Sequence, residues 1–127
     1  SVADAREAGL PTDWCDELDA AVDELVQATG TLAMKGMSGQ VDAMMSHSDD
    51  YLRAFSIVTI AWCWLDMAIA SKRRLDTATS DEAKAPEEGR LRCAQYWIKT
   101  ELPHVSTFLQ LCTSAEPSYV EMQDGWF

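Results

Sequence analysis

From Tyr51 to Ala70 the chain reads YLRAFSIVTIAWCWLDMAIA, apolar around nearly the whole circumference of a helix, with only Ser56, Thr59 and Asp66 interrupting it after Arg53. A helix of this kind needs neighbours on more than one side. Tyr51, Phe55, Val58, Trp62, Leu65 and Ile69 follow alternating steps of four and three, which predicts one seam. Ile57, Ala61, Trp64 and Ala68 predict a second. A membrane span is the competing reading, but Asp66 deep in the run and Arg53, Lys72, Arg73 and Arg74 around it disfavour one, so the segment is read as the centre of a helical core.

The flanking segments have one-sided patterns. Gly9, Leu10, Pro11 and Thr12 close a short polar lead over residues 1–12, and Thr12 or Asp13 suits an N-cap. Trp14, Leu18, Ala21, Leu25, Ala28 and Leu32 then recur at helical spacing while Asp16, Glu17, Asp19, Asp23 and Glu24 fall elsewhere, an amphipathic helix with one buried stripe. Gly30, Gly36 and Gly39 predict a bend or break before a shorter piece holding Val41, Met44 and Met45. The stretch 76–86 reads as a solvated connection turning helical at its end, with Pro86 in the first turn of a last long helix. That helix carries a seam of Leu91, Ala94, Ile98, Leu102, Val105, Leu109 and Cys112, widened by Trp97 and Phe108, and Pro103 should kink it. No β-alternation occurs. The expected fold is all-α, an up-and-down bundle of three long helices and one shorter one over residues 13–113, followed by an irregular tail over 114–127.

A length of 127 residues fits a single domain, and a net charge of −11 argues against nucleic acid or anionic lipid as a partner. The imbalance is local, since residues 1–50 hold eleven acids and two bases, which marks the first long helix as a solvated face. Cys15, Cys63, Cys93 and Cys112 form no C-x-x-C pair and stand at no ligand spacing to a histidine. With Cys63, Cys93 and Cys112 in apolar surroundings and no leader segment, they are read as reduced structural thiols in a cytoplasmic protein.

Little here is chemically suggestive. Glu101-Leu-Pro-His104 has the E-x-x-H spacing of di-iron bundles, but the only other histidine, His47, is preceded at three positions by Met44, so the second motif is missing. His47, Asp49 and Asp50 read as the cap of the central helix, and Lys72, Arg73 and Arg74 as cations complementing its C-terminus. Asp66, amid Trp62, Trp64, Leu65 and Met67, is the one candidate site residue: either a buried carboxylate paired with Arg92, Lys99 or another base, or a group facing a groove. No phosphate loop, nucleophile elbow or Ser/His/Asp set is present. No catalytic, metal or cofactor-binding residue is assigned.

Tyr51-Leu52-Arg53, Phe55, Val58 and the run Ala61-Trp62-Cys63-Trp64-Leu65-Asp66-Met67-Ala68 are followed, after a charged gap, by Arg92, Ala94, Tyr96-Trp97 and Leu102-Pro103. In order and spacing this resembles the C-terminal extension domain of FAD-dependent acyl-CoA dehydrogenases, in the branch of methylthiopropanoyl-CoA dehydrogenase-like enzymes, over roughly residues 13–113. The resemblance implies a non-catalytic helical appendage packed on the flavoenzyme core of the same polypeptide or on a sister subunit. It implies FAD for the parent enzyme and none in this segment, because no position here matches the family's catalytic glutamate, flavin contacts or CoA-binding residues. The alternative is a stand-alone helical module that binds a protein or small ligand through a groove beside Asp66 or through the aromatic tail, where Trp126 and Phe127 would also suit self-association.

Overall fold

The computed structural model describes residues 2–127. All the regular elements among them are helical: α1 (Val2–Glu7), α2 (Thr12–Met37), α3 (Val41–Met45), α4 (Ser48–Thr77), α5 (Asp81–Tyr96), a π turn (Trp97–Glu101), α6 (His104–Ser114) and a closing 3-10 turn (Asp124–Trp126). Three limbs form the bundle. The α2 helix runs up, α4 runs down, and α5, the π turn and α6 together run up again, so that α2 and α6 are parallel. Three polar ties fix this register: Lys99 with Asp13 at one end, Ser106 with Glu24 midway, and Lys35 with the Thr113 carbonyl at the other end.

The residues read as a lead are helical. Gly9 takes a positive φ of 77°, the left-handed conformation that glycine adopts without strain, and the amides of Gly9 and Leu10 bond the Arg6 and Ala5 carbonyls. This is a Schellman closure, and its usual apolar contact is supplied by Ala5 and Leu10, both buried. The expected break after α2 falls at 38–40, where Gly39 has φ 84°. Gly36 is there for space, because a Cβ on it would stand 2.5 Å from the Met44 sulfur of α3.

α5 begins at Asp81, where Ser80 Oγ accepts from the Ala83 amide, so Pro86 lies inside the helix rather than in its first turn. Ahead of Pro103 the helix widens rather than merely bending. The Leu102 amide bonds the Trp97 carbonyl five residues back, and α6 restarts at His104. The proline ring and its missing N–H are thus accommodated by a π turn, a common resolution of a mid-helix defect.

The stripes predicted on α2 and on the α5–α6 limb are buried almost as read, with Leu18, Ile98, Val105 and Leu109 essentially inaccessible. The seams of α4 hold in part: Val58, Leu65 and Ile69 of the first and Ala61 and Ala68 of the second are buried together with Ala54, whereas Phe55 and Trp62 are exposed. Alanines at 54, 61 and 68, all fully buried, recur every seven residues and let the neighbouring helices come close. The bulkier aromatic side chains are left outside. On the flank toward α5, Trp64 is half-buried, and Trp97 donates its indole N–H to the Ile57 carbonyl at 3.1 Å.

Candidate functional site

Asp66 is exposed on the outward side of α4, so the buried alternative for this residue does not hold. An apolar sequence neighbourhood was misleading because the residues beside Asp66, Trp62, Cys63 and Met67, are exposed as well. The two bases named as partners have other engagements: Lys99 lies 2.6 Å from Asp13 and 2.5 Å from Glu17, and Arg92 donates to Gln95. The ion pairs raise the Lys99 pKa and lower that of Asp13.

The other polar groups singled out in the sequence are structural. Lys72 pairs with Asp76, and Arg74 stands 3.6 Å from the Glu87 carboxylate. Glu87 itself is buried, a feature that nothing in its polar sequence context signalled. Arg90 at 2.7 Å from Oε2 is the main reason its carboxyl stays below the usual range, with Ser71 beside it, against the opposing effect of desolvation. Glu101 and His104 line an open groove of about 500 Å³ with Arg53 and Phe108. Among the described residues no three His, Cys, Asp or Glu side chains are grouped to hold a metal ion.

His47 does more than begin a helix. No side-chain cap bond forms at the start of α4; instead Asp49 pairs with Arg53, and His47 Nδ1 lies 2.9 Å from Asp50 Oδ2. Its Nε2 lies 3.0 Å from the Glu116 carbonyl, and its ring meets Tyr119 edge-on. Both facing atoms are acceptors, so both ring nitrogens donate only in the imidazolium form. The pKa is accordingly raised, chiefly by Asp50 and then by the Glu116 carbonyl. A raised folded value means that the stabilisation is complete below the unfolded histidine pKa and is lost as pH rises through the folded one. Amide exchange in residues 116–120 is therefore expected to quicken as pH climbs through that value, after correction for intrinsic exchange. His47→Gln should give fast exchange at every pH.

All four cysteines are free, but they divide into two classes, and of the three expected in apolar surroundings, Cys63, Cys93 and Cys112, only Cys112 is buried. Cys63 and Cys93 are exposed, while Cys15 and Cys112 are buried, with burial the main influence raising their thiol pKa. Alkylation of the folded chain followed by peptide mass mapping should modify Cys63 and Cys93 quickly. Cys15 and Cys112 should react only on unfolding.

A groove of about 720 Å³ lies where Leu10 and Trp14 meet Leu75 and Leu91 under Lys72, Arg92 and Lys99. Its lysines are already engaged by Asp13, Glu17 and Asp76, and it offers no glycine-rich turn to approach a pyrophosphate. These residues do not fit a flavin.

The most conspicuous surface is apolar. Leu52, Phe55, Ile60, Trp62 and Met67 are all exposed along the outward side of α4, where Asp66 is the only charge between Arg53 and Lys72. Val22 and Val26 of α2 extend it, since Thr29 bonds Tyr51 and so sets this side of α2 against the Phe55 edge of α4. By length and composition α4 is also the one helix among the described residues apolar enough to cross a membrane, and part of that apolar surface is packed inside the bundle.

Comparison with curated proteins and with solved structures finds no match. The family described as acetyl-CoA dehydrogenase C-terminal like matches residues 2–123, nearly the whole chain and every main helix of the bundle. The chain therefore belongs to this family of C-terminal helical domains of acyl-CoA dehydrogenases.

Proposed function

We propose that this chain is the non-catalytic C-terminal domain of an FAD-dependent acyl-CoA dehydrogenase of the methylthiopropanoyl-CoA dehydrogenase-like branch. The parent oxidises an acyl-CoA to its 2,3-enoyl thioester, and the flavin and the catalytic base reside upstream. The domain contributes packing, by covering apolar surface on the core of its own polypeptide or on a sister subunit. Beyond the family itself, the observation that carries this reading is the outward side of α4, too apolar for a helix that ends its packing at the bundle surface. The four free thiols support a reducing, cytoplasmic setting.

The test has two parts. The reading frame upstream of Ser1 is expected to encode a flavoenzyme core. The isolated chain is expected to show no flavin absorbance and no acyl-CoA oxidation in a dye-coupled assay. Turnover by this chain alone would overturn the proposal.

A further inference from the structure

Beyond α6 the chain is hydrogen-bonded to the bundle at one point. Every residue of 116–127 is exposed, and among the described residues its hydrogen bonds stay within the segment, as from the Val120 and Glu121 amides to the Pro117 carbonyl and from the Ser118 amide and hydroxyl to the Glu116 carboxylate. The exception is the Glu116 carbonyl, 3.0 Å from His47 Nε2, and the edge of the Tyr119 ring meets the same imidazole. The chain reaches His47 through Ala115, whose φ of 48° lies in the left-handed region that a residue with a Cβ seldom adopts. Such a conformation persists only while its surroundings hold it.

The groups around His47 single it out as the one that responds to pH. On α4 these are Asp50 and the Asp49–Arg53 pair; the segment itself supplies Glu116 and Tyr119. From α6 the Cys112 thiol donates to the His47 carbonyl at 3.4 Å, and Lys35 of α2 is engaged by the Thr113 carbonyl. The short α3 carries only Asp42, which is exposed. Histidine is the side-chain type among these that titrates around neutrality, and burial pushes the Cys112 thiol further up.

Loss of the imidazolium proton does not weaken both ring contacts alike. A neutral imidazole keeps one N–H, and the Asp50 carboxylate, a charged acceptor one turn along the same helix and 2.9 Å from Nδ1, takes it in preference to a neutral carbonyl. Nε2 is then left with a lone pair facing the Glu116 carbonyl. The contact that fails is the one holding the segment.

We propose that His47 is a proton-operated latch, in which the imidazolium holds 116–127 against the start of α4 and the neutral ring releases the whole segment about Ala115. Because the closed arrangement raises the His47 pKa, the latch is shut in mildly acid solution and opens as pH rises through the raised value. The device lies within this chain and does not depend on what the domain packs against.

A pH titration of the isotope-labelled chain tests it, by 13C-detected NMR that does not rely on exchanging amides. The His47 ring nitrogens report protonation and tautomer, and carbon relaxation reports the order of 116–127. The expected result is one midpoint for both, with the Nδ1–H tautomer above it and α6 unchanged as far as Thr113. In Asp50→Asn, the side-chain amide can donate to Nδ1 of a neutral ring, which frees Nε2–H for the Glu116 carbonyl. That variant should keep the segment ordered across the whole titration, with an unfolding temperature within about 2 °C of the parent sequence.

A segment that stays ordered after His47 has lost its proton overturns the latch, as does release at a midpoint that is not that of His47. Release that persists in Asp50→Asn overturns the assignment of the remaining proton to Asp50. Loosening confined to Glu116 and Pro117 overturns release of the segment as a whole.

Discussion

Leu65→Ala should lower the unfolding free energy by about 3 kcal/mol, with a drop in melting temperature on the order of 10 °C followed by circular dichroism. Leu65 is fully buried in the middle of α4, where α2 and the third limb converge. Truncation there removes the transfer contribution of the lost carbons and leaves a cavity that three packed helices cannot collapse to fill. Trp62→Ala, three residues away on the same helix, removes more atoms and should cost the isolated chain far less, because half of that side chain is already in water. This inversion of the size order distinguishes the observed seam from the one that the apolar periodicity suggests. Equal losses at the two positions would mean that Trp62 is inside.

Ala61→Leu should be destabilising by about 2 kcal/mol or more although it adds apolar surface. Ala54, Ala61 and Ala68 are fully buried at intervals of one heptad, so α4 presents a flat line to its partners and they approach its backbone closely. The Trp97 indole reaching the Ile57 carbonyl is one measure of that approach. A leucine at 61 must either push the helices apart or turn away from its preferred rotamer. Chemical denaturation of the variant checks the magnitude, and a gain in stability would show unfilled space beside Ala61.

The sequence was most legible where only one side of a helix is apolar. The stripe from Trp14 to Leu32 and the line from Leu91 to Cys112 could be buried in one way only, and the structure places them so, with only Leu32 and Leu91 at their ends half-buried. The centre of α4 was less legible for the opposite reason. A run that is apolar on every side has no preferred orientation, and matching large residues by spacing selected Phe55 and Trp62. The deciding residues were the small ones, since a line of alanines brings backbones together more closely than a line of rings can. With that rotation of the helix, Asp66 takes the exposed one of its two expected alternatives, and Cys63, expected in apolar surroundings, lies at the surface.

Long-range polar contacts were not legible at all. His47 lies 69 positions from the Glu116 carbonyl it bonds, and Glu87 owes its Arg74 neighbour to the way α5 packs on α4, although Arg90 lies only one turn away on α5 itself. The short α1 was hidden by its length, because six residues carry too little periodicity, although Gly9 and Leu10 hold the signature of a helix end. The family resemblance survived these local misreadings. It depends on the order and spacing of residues along α4 to α6, whichever way each residue faces.

Cys63 gives direct access to the central claim that the outward side of α4 is covered in the complete enzyme. Its thiol is exposed in this chain, between Trp62 and Trp64 on the outer surface of α4, and its alkylation can be followed peptide by peptide. The decisive measurement is the rate of Cys63 alkylation in the isolated chain and in the parent dehydrogenase under the same conditions. The account predicts fast modification in the isolated chain and a rate at least about tenfold slower in the parent, as expected for a thiol shielded from solvent. Equal rates in the two, or slowing confined to Cys93 on α5, would contradict it.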